Sequence, residues 1–172
     1  MKKISLLLIT ILVIGCGPQL SPEELQAKWR APIGISALNV GICEGATETA
    51  QKVQSGESEG FAAFGELLAV SVMIQAVDES LAEAQPADDQ TALVDQMQAD
   101  VDALKEVLGP WINKETTSAD VLAEIDDVCQ QTNETFEEVV EQAADDGLSE
   151  EAARAIMEEM SEAMQGAVEG GE

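Results

Sequence analysis

The sequence predicts an all-α fold, an antiparallel up-and-down bundle of four long helices plus a short N-terminal helix. Three observations predict it. Apolar residues recur in steps of three and four along most of residues 33–167, the period that gathers them on one side of a helix. The runs between Gly and Pro punctuation exceed the usual strand length, with Val and Ile at helical spacing rather than in alternation. Connections are short, which favours antiparallel neighbours.

The elements follow in order. Ser21-Pro22-Glu23-Glu24 opens a helix, with Ser21 capping, Pro22 in the first helical position and Glu24 reaching back to complete a capping box. Pro32 is expected to stop this helix early. Residues 33–53 form the next one, with Ile35, Leu38, Ile42 and Cys43 at helical spacing and Gly34, Gly41 and Gly45 weakening it. Ser55-Gly56-Glu57-Ser58 is a turn. A helix over 59–83 is expected to direct Phe61, Phe64, Leu68, Val72 and Gln75 inward and to end before Pro86.

The clearest pattern comes next. Val94, Met97, Val101, Leu104 and Leu108 form a seam, while Asp95, Asp100, Asp102 and Glu106 fill the other faces. Gly109-Pro110 is expected to end that helix through a left-handed Gly cap, with Trp111 and Ile112 folding back as a plug. Thr117 and Asp120 stand in capping-box spacing before a helix that turns Leu122, Ile125, Cys129, Thr132, Phe136, Val139 and Ala143 inward and closes at Gly147. Ser149-Glu150-Glu151 starts a last helix, acidic in its first turn, with Ile156, Met160, Ala163 and Ala167 inward. Residues 169–172 form a frayed tail, and no internal repeat of solenoid period is present.

Charge sets the choice of partners. The 172 residues carry 34 acidic and 8 basic side chains, a formal charge of −26. Nucleic acid and anionic head groups are repelled by such a chain, whereas basic proteins and hydrated cations are attracted. The aromatic residues are Trp29, Phe61, Phe64, Trp111 and Phe136, with no Tyr, too few for a sugar-binding platform or a base-stacking surface. There is no His, which removes the commonest general base, haem ligand and zinc ligand together.

The N-terminus reads as an address. Lys2 and Lys3 precede an 11-residue apolar or hydroxyl run over 4–14 and then Gly15-Cys16. That run is too short to span a bilayer, which needs roughly 20 residues as a helix. Val13-Ile14-Gly15-Cys16 resembles the lipobox of bacterial lipoproteins, with Val13 standing where that class most often has Leu. The resemblance covers about the first tenth of the chain. It implies that residues 1–15 are a signal peptide, that the thiol of Cys16 receives a diacylglyceryl group, and that the new amino terminus is acylated as well.

On this reading residues 16–20 are a lipidated tether and residues 21–172 an acidic helical domain. Each buried methylene contributes about 0.8 kcal/mol, so two or three chains hold a protein on a bilayer where one does not. Cleavage leaves 157 residues with six basic side chains and a charge near −28. Gly17, rather than the Asp that retains many lipoproteins at the inner membrane, favours the periplasmic face of the outer membrane.

Few side chains suggest chemistry. With Cys16 acylated, Cys43 and Cys129 remain on the inward faces of two different helices in an oxidising compartment, and a disulfide is expected; two buried free thiols are the alternative. Gly41 and Gly45 flank Cys43 and would let a neighbouring helix approach. Met157, Met160 and Met164 read as flexible core filling, or as a thioether site for copper(I). Gly147 as the sixth residue of a calcium loop would put Gln142 first, Ala144 third and Ala153 twelfth, none of them the required carboxylate. Diffuse binding of divalent cations to the acidic face is the remaining metal reading.

Lys28, Lys52, Lys105 and Lys114 are the lysines left to replace His as a base, and none stands in a Ser-Lys motif. No phosphate-binding Gly-rich loop is present. The expectation is a lipid-anchored, non-enzymatic interaction or structural protein of the cell envelope, without a cofactor. The alternative is a carrier of a small ligand, copper(I) or another cation between the helices.

Overall fold

The computed structural model describes residues 20–58, 61–84 and 86–169; for residues 61, 63, 64 and 161–169 it describes the backbone. Five helices account for nearly all of them, and no strand occurs among the described residues. Helix α1 (Pro22–Ser55) has 34 residues, α2 (Phe61–Glu83) 23, α3 (Thr91–Ile112) 22, α4 (Ser118–Asp145) 28 and α5 (Glu150–Glu169) 20, with a 3-10 turn (Asp88–Gln90) leading into α3. The helix α1 packs against all four others. Among the described residues no helix is long and apolar enough to cross a membrane.

Both capping boxes form. Ser21 Oγ accepts from the Glu24 amide at 3.3 Å while Glu24 Oε2 accepts from the Ser21 amide at 2.8 Å. The same exchange joins Thr117 and Asp120 at 3.3 and 2.8 Å. Each box satisfies two amides that the first helical turn would leave without partners. Ser149 Oγ caps α5 by accepting from the Ala152 amide at 3.2 Å. Gly147 closes α4 with φ +101°, its own amide donating to Ala144 and that of Leu148 to Ala143, both at 2.9 Å. Leu148, the residue just past this cap, is buried, the hydrophobic contact that accompanies such an ending.

Two prolines do not end helices as expected. Pro32 lies inside α1, so the expected short helix and its successor are one. A proline in mid-helix has no amide to give the carbonyl four residues back, here that of Lys28. The side-chain amide of buried Gln90 donates to this carbonyl at 3.2 Å and takes the missing partner's place. Likewise α3 runs through Gly109 and Pro110 to Ile112. Its left-handed residue is Lys114, with φ 64°. The amides of Lys114 and Glu115 close the end on the carbonyls of Trp111 and Pro110, at 2.9 and 2.8 Å. Trp111 is therefore a buried residue of the last helical turn rather than a plug folded back from it.

The core runs the length of α1 through Trp29, Ile33, Ile42 and Ala46 and takes Met97, Leu104 and Leu108 from α3, Ile125 and Val139 from α4, and Ile156 from α5. The expected seams of α3 and α4 are largely the buried ones. The face assigned to α2 is not. Leu68 and Val72 are 53% and 57% exposed and Gln75 is exposed, whereas Val70, Ile74, Val77 and Leu81 are buried. Residues 67–77 carry no charge, so apolar periodicity does not distinguish the two sides of this helix; the expected Phe61 and Phe64 side chains lie outside the described residues. Asp100, expected among the solvent-facing acids of α3, is 1% exposed.

Candidate functional site

The end of the bundle where the chain enters at Leu20 brings together the start of α1, the 3-10 turn and the α4–α5 turn. Lys28 is its centre. Its Nζ donates to Asp89 Oδ2 at 2.6 Å and to Asp146 Oδ2 at 2.7 Å, and it stands 5.4 Å from the centre of the Trp29 ring. Trp29 Nε1 donates to the same Asp146 oxygen at 3.0 Å. One lysine thus ties α1 to both turns. Asp146 first, then Asp89, raises the Lys28 pKa above its ordinary value, and the ammonium in turn lowers that of Asp89. Nothing in hydrophobic periodicity marks this arrangement; a lone Lys beside the first Trp was its only sequence signal.

Two apolar grooves flank Leu20, which is 43% exposed. One, about 420 Å³, lies between α1 and the α2–α3 connection and is lined by Ala31, Pro32, Ile35, Pro86, Val94 and Met97 among others. The second, about 410 Å³, lies between the start of α1 and the α4–α5 turn, against Leu25, Leu148 and Ala152. Cys16 lies outside the described residues.

Among the described residues the remaining basic side chains are engaged within the chain as well, four of them with carboxylates. Arg30 pairs with Glu159 across α1 and α5, and Lys105 with Asp78 across α3 and α2. Lys52 binds Glu48 at 2.7 Å and Arg154 binds Glu150 at 2.9 Å, each one helical turn apart. Lys114 has a partner too. The acids outnumber them several-fold, so the outward field is that of uncompensated carboxylates.

Cys43 of α1 and Cys129 of α4 are joined as a disulfide, with Cα atoms 5.5 Å apart, inside the range such a bond requires. The flanking glycines are not what permits it. A Cβ on Gly41 would meet nothing within 4 Å and one on Gly45 only the Met73 Cε at 3.9 Å. The close approach is at Gly34, where Met160 Cε and Sδ lie 3.0 and 3.2 Å from the position of a Cβ. Met160 thus fills the space above a missing side chain, Met157 is half-buried, and the Met164 side chain lies outside the described residues. Among the described residues no three His, Cys, Asp or Glu side chains form a metal-sized group.

Three buried hydroxyls are engaged with their own helices, while that of Ser58 has no partner among the described residues. Ser36 donates to the Pro32 carbonyl at 2.8 Å, Thr132 to Val128 at 2.9 Å and Thr135 to Gln131 at 3.2 Å. No family model matches the chain, and comparison with curated proteins and with solved structures gives no match either.

Proposed function

We propose that the protein is a lipid-anchored, non-enzymatic module of the bacterial cell envelope, held by acyl chains on Cys16 and presenting its acidic body to a basic envelope protein or to divalent cations. One observation carries the binding half of this reading: the basic side chains of the described fold are engaged, leaving an exterior of unneutralised carboxylates. Such a surface accelerates encounter with a cationic partner and loses that advantage as salt screens it. The leader and its Cys supply the anchoring half. The periplasmic face of the outer membrane is the favoured site.

An up-and-down bundle is part of the proposal. Support comes from the pairing of Trp29 with Asp146 and of Cys43 with Cys129, which sets α1 and α4 in opposite senses. The experiment is recovery of partners from membrane extract at low and high salt. A partner held at low salt and released at high salt supports the proposal; none, or one indifferent to salt, refutes it.

The groove beside Leu20 favours a second reading, carriage of a small apolar ligand. Its volume of about 420 Å³ falls within the roughly 300–1,000 Å³ of ligand pockets. Val94→Trp would fill it and abolish uptake of a fluorescent apolar probe; an unchanged probe signal would remove this reading.

A further inference from the structure

A polar layer interrupts the core beside the disulfide. Asn39, one turn before Cys43 on α1, is 1% exposed, and neither its Nδ2 nor its Oδ1 has a partner among the described residues. Asp100 on α3 is also 1% exposed; its Oδ1 accepts from Gln131 at 3.0 Å and from Gln96 at 3.4 Å, while its Oδ2 has no partner among the described residues.

Two independent routes place these residues at one level. The contact of the Lys28 carbonyl with Gln90, and the shared lining of one groove by Ile35 and Met97, advance α1 and α3 in step, which puts Asn39 at the level of Asp100 and Val101. The bond of Cys43 to Cys129 sets Asn39 near Thr132 of α4, and the neighbouring Gln131 holds Asp100.

Buried polar atoms are nearly always satisfied. Three such atoms at one level, an amide nitrogen and two acceptor oxygens, define what would satisfy them. A metal cation would serve Asn39 Oδ1 and Asp100 Oδ2 and leave Nδ2 orphaned. A direct bond from Nδ2 to Asp100 Oδ2 would leave Oδ1 orphaned, and that bond is not made. A water molecule can accept one hydrogen of Nδ2 and donate one to each oxygen, and so gives all three atoms a partner.

We propose that the α1–α3–α4 junction encloses one sequestered water molecule that accepts from Asn39 Nδ2, donates to Asn39 Oδ1 and donates its second hydrogen to Asp100 Oδ2. This site does not depend on lipidation or on any partner. It stitches α1 to α3 one turn from the covalent link between α1 and α4.

The test is a crystal structure of the full-length chain in detergent at a resolution that shows ordered water, with the Asn39→Leu variant alongside. The wild type is expected to show a density peak about 2.7–3.2 Å from both Asn39 and Asp100, and the variant to lose it while its helical circular dichroism is unchanged. Should the variant fail to fold, magnetisation transfer from long-lived water to the Asn39 side-chain amide of the wild type gives the same answer. Absence of both peak and transfer overturns the proposal. A direct Asn39–Asp100 bond, or a peak contacting only oxygens at about 2.0–2.6 Å, as a cation would, overturns it equally.

Discussion

Removing the bond between Cys43 and Cys129 is the perturbation with the largest expected effect. The two residues lie 86 apart in sequence. Closing a loop of that length removes conformational entropy from the unfolded chain worth about 4–5 kcal/mol at 25 °C, an upper figure that omits enthalpic effects in either state. Domains of ordinary stability have about 5–15 kcal/mol in all, so about a quarter or more of the total is at stake. For a chain of this length each kcal/mol moves the midpoint by about 2–4 °C, which gives a fall of roughly 8–20 °C. The assay is thermal and urea unfolding of the wild type with and without reductant, and of the Cys43→Ala, Cys129→Ala double variant. The urea dependence should steepen on reduction, because the uncrosslinked chain exposes more surface. Identical midpoints before and after reduction, with two alkylatable thiols in the unreduced protein, would refute the reasoning.

Other outcomes follow from single contacts. Gln90→Ala orphans the Lys28 carbonyl and should cost about 1–2 kcal/mol, but far less once Pro32→Ala restores an amide to that carbonyl; equal costs in both backgrounds by urea titration would show that Gln90 does not substitute for the proline. Ile74→Ala should cost about 2–4 kcal/mol while Leu68→Ala stays within about 0.5 kcal/mol, and the reverse order would reinstate the face of α2 expected from sequence. Stability should decline at both ends of the pH scale. Asp78 and Asp89 have carboxyl pKa values lowered chiefly by Lys105 and Lys28, so their contribution is complete above the ordinary 3.8 and is lost as pH falls through the depressed values. Lys28 and Lys105 are raised, chiefly by Asp146 and Asp78; their contribution is complete below 10.5 and is lost as pH climbs through the raised values. A stability curve flat outside that window would contradict the pairing.

Local chemistry made much of the fold legible. Capping boxes at Ser21 and Thr117, the Gly147 ending and the Met97–Leu108 seam each depend on residues within a turn or two, so the sequence displays them. The misreadings share a different cause. Pro32 passes through α1 because Gln90, far along the chain, supplies the missing donor, and no window around the proline contains that information. The side of α2 that is buried is chosen by α1 and α3, since both of its faces are apolar. Asp100 is buried through the amide of Gln131 on another helix. Cys43 and Cys129 pair by elimination once Cys16 is assigned to the lipid, whereas the Lys28 junction and the grooves beside Leu20 exist only once the start of α1 meets the two turns.

The central claim is that acyl chains on Cys16 fix an acidic helical body to a bacterial membrane, and metabolic labelling with radioactive palmitate tests it most directly. The wild type should carry the label and sediment with membranes, and Cys16→Ser should do neither. No label on the wild type, or equal label on both, would contradict the account.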